Sequence, residues 1–242
     1  MIELESVVTF KWKPVTGYRS NFTSHHVNMV REMFAKNYPR PHRFICITDD
    51  SNGLDTRIEA FPLWDTFRGL KNPTWPSGPN CYPRLLTFGE KFAEIAGKRF
   101  LAMDIDIIIR DDMRPIVDRE EDFVIWGTGN PRIPYCASMY LMTTGSKKEV
   151  LDRFDPIRSP HLSNAAGFRG SDQAWINYCL GKDIPVWGMS DGVYSYRDHI
   201  MRRAPRPGRL PKNARVIIFH GKPDPWDHGA KLHSPWLREY YA

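Results

Sequence analysis

The sequence predicts an α/β fold with a mainly parallel central sheet flanked by helices. Three observations carry this. Short β-rich runs alternate along the chain with segments of helical periodicity. The 242 residues suffice for one large α/β domain with a full core. A composition of 41% hydrophobic and 26% charged residues is that of a globular chain, and no apolar run approaches the roughly 20 residues that span a bilayer.

The elements follow in order. "SVVTFKW" (6–12) is the first strand, and "NFTSHHVNMVREMFAKNY" is a helix with Val27, Val30 and Phe34 on one face and Ser20 or Asn21 as its cap. "HRFICITDD" (42–50) and "RIEAFPLW" are the second and third strands. After the Pro- and Gly-rich "KNPTWPSGPN", the segment "CYPRLLTFGEKFAEIAGK" places Leu85, Phe88, Phe92 and Ile95 at helical spacing, with Pro83 in the first turn and Gly97 as the stop. On that helix Arg84 and Lys91, seven apart, fall on nearly the same side. "PYCASMYLMTTGS" (134–146) reads as strand and turn, "GSDQAWINYCLG" (170–181) as a short helix capped by Ser171, and "ARVIIFHGKPDPW" (214–226) as a late strand entering a Pro-broken loop. Neither an internal repeat nor a composition shift divides the chain, so one domain over 1–242 is expected.

Between the third strand and residue 134 lies "KRFLAMDIDIIIRDD" (98–112), an apolar strand that carries Asp104 and Asp106. Alternation points both carboxylates to one face. A carboxylate removed from water needs a partner or a metal. The pair could be ordinary strand-end residues. It could also be the nucleophile and acid of a haloacid-dehalogenase-type phosphatase, though that motif opens its chain's first strand. Finally, it could bind Mg²⁺ or Mn²⁺, which prefer oxygen ligands and bridge carboxylates to substrate phosphates.

Other features narrow the function class. Cys46, Cys81, Cys136 and Cys179 stand singly without a CxxC pair, as expected of reduced thiols in a cytoplasmic protein rather than a disulfide frame or zinc site. "MIELESVVTF" lacks the plan of a cleaved signal. The net charge of +6 is concentrated in residues 197–215, which hold six arginines and one lysine against one aspartate. That Pro-rich segment is either a solvated loop or a site for an anionic acceptor or an anionic inner-membrane face; no nucleic acid is expected.

The run "YPRLLTFGEKFAEIAGKRFLAMDIDIIIRDDMRPIVD" (82–118) resembles the central segment of the glycogenin and lipopolysaccharide galactosyltransferase group, the family 8-like retaining GT-A glycosyltransferases. Tyr82, Arg84 and Leu85 match the family's helix start, and Asp104 and Asp106 match its metal-binding pair. Asp172, Gln173 and Asn177 of "SDQAWIN" match its D-Q-x-x-x-N helix, and "FHGKPDPW" resembles its closing H-F-x-G-x-x-K-P-W. The resemblance implies a single GT-A (Rossmann-like) domain that moves a hexose from a nucleotide sugar, a UDP-hexose above all, to a glycan, lipid-linked or other hydroxyl acceptor with retention of configuration. It implies Mn²⁺ or Mg²⁺ at Asp104 and Asp106, a donor-sugar contact from Asp172, and Gln173 near the anomeric carbon. An acidic residue at Asp172 is equally explained by helix capping and the macrodipole.

The chain departs from the family at the closing motif. With Gly221, Pro225 and Trp226 aligned, Ile218 stands at the metal-binding histidine and Asp224 at the diphosphate-binding lysine. His220 is therefore expected to supply the imidazole ligand, and Lys222 with Arg84 the fixed positive charge at the diphosphate, with Gly221 beside the donor, unless His220 merely ends a strand. Cys136 stands at the family's sugar-contacting asparagine. For the nucleobase, Thr9 and Lys11 are candidate contacts and Trp12 or Tyr18 a stacking surface, although both aromatics could be core or lid residues. An alternative is a non-catalytic nucleotide-sugar or glycan binding module with a degenerate transferase site.

Overall fold

The first strand, β1 (Ser6–Lys11), is buried along its whole length, as expected of a strand covered on both faces. It pairs in parallel with β2 (Arg43–Thr48) on one side and with β4 (Arg99–Met103) on the other. A computed structural model describes residues 3–13, 22–78, 80–202 and 208–241. Its central sheet has the order β3-β2-β1-β4-β7-β6-β8, with β3 at Ile58–Pro62, β6 at Phe123–Asn130, β7 at Ile133–Thr143 and β8 at Val186–Trp187. The pairings are parallel except for those of β7 with β4 and β6. A smaller sheet joins β5 (Ile107–Ile109), β10 (Val216–Ile218) and β9 (Val193–Ser195).

Side chains that alternate along β1 feed two cores. Val7 packs with Val27, Val30 and Phe34 of α1 (Ser24–Asn37), whereas Val8 and Phe10 pack with Tyr82, Leu85 and Phe88 on the other face. The α1 stripe is the expected one, but its N-cap is Thr23. Ser20 and Asn21, the expected caps, lie outside the described residues, as does Tyr18. The remaining helices are short: α2 (Ala93–Ala96), α3 (Arg114–Val117), α4 (Glu149–Asp152), α5 (Arg158–Ala165), α6 (Asp172–Leu180) and α7 (His228–His233).

Two segments differ from expectation. Residues 82–96 are not one helix: 3₁₀ turns at Tyr82–Phe88 and Glu90–Phe92 precede α2, separated by Gly89 in an extended conformation. A Cβ at Gly89 would lie 2.8 Å from Leu151 Cδ2, so glycine lets this segment pack closely against α4. Consequently Arg84 is buried while Lys91 is exposed, and the two do not share a side. Gly97, at φ +80°, terminates the segment as expected. The aspartate-bearing run is two strands rather than one. Asp104, Ile105 and Asp106 form the turn that carries the chain from β4 in the large sheet to β5 in the small one, held by Asp104 N–H to Ser138 O (2.8 Å) and Phe219 N–H to Asp106 O (2.9 Å).

Candidate functional site

The chain runs from β1 outward through β2 to β3 and then returns to place β4 on the other side of β1. Such a reversal opens a crevice at the carboxyl ends of the strands. A cavity of about 390 Å³ occupies that place, lined by Phe10 and Trp12 from β1 and its end, Arg84, the turn Asp104–Asp106, Cys136 and Ser138 of β7, Asp172 and Gln173 of α6, and Arg197, His220 and Gly221. Folding thus gathers into one cavity acidic and basic residues from five separate stretches of sequence.

Arg84 is the centre of its charge. The guanidinium is 10% exposed, donates from Nε to Asp172 Oδ2 at 2.9 Å, pairs through Nη2 with the same carboxylate at 2.8 Å, and pairs through Nη1 with Asp104. Burial opposes its charge, but the Asp104 and Asp172 carboxylates outweigh burial and hold its pKa well above the ordinary value. Burial lifts the Asp172 carboxyl above its ordinary value against the pull of Arg84. The Asp104 carboxylate of the apolar run is therefore compensated by arginine.

α6 is fixed to the sheet by Asn177. Its Oδ1 accepts from Tyr135 N–H and its Nδ2 donates to Tyr135 O, both at 2.8 Å, with a further bond to Gln173 O at 2.7 Å. The asparagine of the D-Q-x-x-x-N pattern thus positions the turn that carries Asp172 and Gln173. Ser171 Oγ accepts from Cys81 N–H at 3.0 Å, joining this turn to the segment of Arg84. Cys136 lies 3.2 Å from Ser138 Oγ, and burial pushes its thiol up to about 12, so it is uncharged.

The β1 candidates separate by face. Thr9 is fully buried, and Phe10 and Trp12, on the opposite face, line the cavity in its place; a residue one step along a strand points the other way. Lys11 turns to Asp50 O at 2.5 Å and lines a second cavity of about 480 Å³, with Trp12 standing between the two.

Asp104, Asp106 and His220 line the same cavity, yet no group of three or more His, Cys, Asp or Glu side chains arranged to hold a metal occurs among the described residues. His220 is already committed. Its Nε2 is 2.7 Å from Ser195 Oγ and 3.3 Å from Asp198 Oδ2, and its Nδ1 accepts from Arg197 Nη2 at 3.1 Å. Burial, then the Arg197 charge, lower its pKa to about 4. The three-ligand set does not fit a preassembled metal centre; the two carboxylates suit an ion whose other oxygens arrive with a ligand. Lys222 Nζ pairs with Asp224 at 2.8 Å and Asp227 at 3.2 Å and does not line the cavity. Arg197 is the charged cavity-lining residue that the sequence did not single out, because it reads there only as one of a run of arginines.

That run does not form a single basic face among the described residues. Arg197 enters the cavity from a π-helical turn (Tyr196–Met201), Arg202 is exposed, and Arg215 contacts Asp112 O at 2.9 Å. Arg203 and Arg206 lie outside the described residues. No helix among the described residues is long and apolar enough to cross a membrane.

No family profile matches the sequence, and no curated protein matches it significantly. Similar solved structures include the galactosyltransferase LgtC in complex with donor and acceptor sugar analogues, at 15% identity and a TM-score of 0.61 over 98% of this chain and 96% of that one. The glycosyltransferase GlyE of Streptococcus pneumoniae TIGR4 aligns at 10% identity and a TM-score of 0.62, and the bifunctional glycosyltransferase WbbM at 9% and 0.56. This chain covers 96% of LgtC but 60% of GlyE and 51% of WbbM. At these identities the likeness is one of architecture: the chain has the GT-A-like fold of glycosyltransferases.

Proposed function

We propose that the protein is a glycosyltransferase that moves a hexose from a nucleotide sugar, UDP-linked, to a hydroxyl of a glycan or lipid-linked acceptor with retention of configuration, residues 1–242 acting as one domain. The observation that supports this most is the joining of Arg84, Asp104, Asp106, Asp172 and Gln173 around one cavity at the carboxyl ends of β1 and β4. Fold alone would not license the reading.

In this reading Asp172, oriented by Arg84, accepts a hydrogen bond from a donor-sugar hydroxyl, and Gln173 lies beside the anomeric carbon. Trp12 offers the base an aromatic face at the rim. As diphosphate departs, negative charge grows on its oxygens and fixed donors lower the barrier. Mn²⁺ or Mg²⁺ held by Asp104 and Asp106, without His220, would add Lewis-acid compensation of that charge. No covalent nucleophile is assigned. The exposed Arg202 extends the proposal to an anionic acceptor, or to an anionic face of the inner membrane reached from the cytoplasm; acceptor affinity insensitive to salt would remove that part.

A specific observation favours a second reading, a nucleotide-sugar or glycan binding module: His220 and Lys222 are both engaged with neighbouring side chains. The test is nucleotide release from a panel of UDP-sugars, with Mn²⁺ and with chelator, beside an Asp104→Asn/Asp106→Asn variant and thermal shifts for each donor. Turnover lost in the variant supports the transferase and identifies the donor. Stabilisation without turnover supports the binding module, and neither signal rejects both.

A further inference from the structure

The cavity poses a charge problem for a ligand that carries phosphate. Asp104, Asp106 and Asp172 line it, and the Arg84 guanidinium is already shared between Asp104 and Asp172. Lys222 pairs with Asp224 and Asp227 outside the cavity. A diphosphate placed here needs another cationic donor set, and arginine suits phosphate because its planar fork offers paired N–H groups.

Arg197 meets that need. Three residues bracket its guanidinium: Nε donates to Asp198 Oδ1 at 3.2 Å, Nη2 donates to His220 Nδ1 at 3.1 Å, and Nη1 overhangs Gly221, where a Cβ would lie 3.0 Å from it. Gly221 is at φ +81°, a conformation that glycine adopts without strain, and its missing side chain leaves the guanidinium room against the backbone. His220 is held in turn by Ser195 Oγ, which itself lies 3.2 Å from Asp198 Oδ2. Among the described residues no hydrogen bond or ion pair uses Nη1 of Arg197. Three side chains, Asp198, His220 and Ser195, thus hold a half-exposed arginine in the lining of the cavity that Arg84 also lines.

We propose that Arg197 is the phosphate anchor of the cavity, its guanidinium binding the nucleoside-diphosphate leaving group of the donor, with His220 acting as its positioning residue through Nδ1. The inference rests on the nucleotide-sugar reading and assigns to an arginine the contact that Lys222 was expected to make.

Calorimetric titration tests it, run with chelator and again with Mn²⁺, using nucleoside, nucleoside monophosphate and nucleoside diphosphate for each of uracil, guanine, adenine and thymine. Arg197→Gln is expected to weaken diphosphate binding about tenfold or more while nucleoside binding stays within about twofold, and Arg197→Lys to recover part of the loss. His220→Leu should reproduce the selective loss, and His220→Asn, whose amide oxygen can replace Nδ1, should restore it. Unchanged diphosphate affinity in Arg197→Gln, or an equal loss for nucleoside, overturns the anchor. Wild-type affinity in His220→Leu overturns the positioning role. Wild-type protein that binds no nucleoside diphosphate of the panel, either with chelator or with Mn²⁺, overturns the nucleotide-sugar reading itself, and the anchor with it.

Discussion

Arg84 and Asp172, 88 residues apart in sequence, meet side on, with Nε 2.9 Å and Nη2 2.8 Å from the same carboxylate oxygen, Oδ2. Both are buried, and the Nη1 of Arg84 goes to Asp104. The pair joins the segment after the Pro-rich loop to the first turn of α6, so stability and site geometry depend on the same contact.

Arg84→Met should therefore destabilise the protein by about 3–5 kcal/mol, since it leaves two carboxylates facing each other without their counter-charge. Asp172, already raised by burial, would rise further without the arginine. A carboxyl raised in the fold favours the folded state at low pH, so the deficit should shrink as pH falls from 7 towards the ordinary carboxylate range. Urea unfolding of variant and wild type at several pH values checks both the size and the sign. A deficit that grows on acidification would contradict the pairing.

Asn177→Leu should cost about 2–4 kcal/mol, because the buried N–H and C=O of Tyr135 both lose their partner. Asn177→Asp keeps an acceptor for the N–H and should lie between the two. If Asn177 positions the turn bearing Asp172 and Gln173, thermal stabilisation by a donor should fall in both variants; unchanged ligand-induced shifts would confine Asn177 to stability.

His26 gives a pH signature away from the cavity. It stacks on Trp226 with ring centroids 3.8 Å apart, and its Nδ1 accepts from Thr23 N–H at 3.1 Å, a bond only the unprotonated nitrogen can accept. Burial, and then His25, lower its pKa to about 4. A histidine depressed in the fold contributes stability above its unfolded pKa, and that contribution is lost as pH falls through its folded pKa. Stability should decline between about pH 6.5 and about 4 as His26 takes up its proton. His26→Gln should flatten that part of the pH profile, and an unaltered slope would assign it to other groups.

Cys136 lines the cavity with an uncharged thiol beside Ser138. Cys136→Asn adds an amide that can both donate to and accept from a sugar hydroxyl. If this position reads the donor sugar, the ratio of turnover between two hexose epimers linked to the same nucleotide should change by about tenfold, on the order of one well-placed hydrogen bond. An unchanged ratio with intact turnover would place sugar selection elsewhere.

The α1 stripe of Val27, Val30 and Phe34, the stop at Gly97 and the start of α6 after Ser171 were legible in the sequence. Each rests on local physics: apolar spacing, backbone conformation and helix termini. The Asp104 and Asp106 pair announced itself in the same way, as charge where an apolar strand should continue. The break at Gly89 did not: the apolar spacing runs on through it, and its close approach to Leu151 is a tertiary contact. Residues 123–130, unassigned from sequence, became β6 because β7 supplies their partners. The same division runs through the site. Residue types that can bind charge were visible one by one, but tertiary structure alone decided that Arg84 compensates Asp104 and Asp172, that Lys222 turns to Asp224, and that Arg197 reaches the cavity against His220. A side chain's secondary structure depends on its near neighbours in the chain, whereas its electrostatic partner depends on which distant segment the packed core brings within about 3 Å.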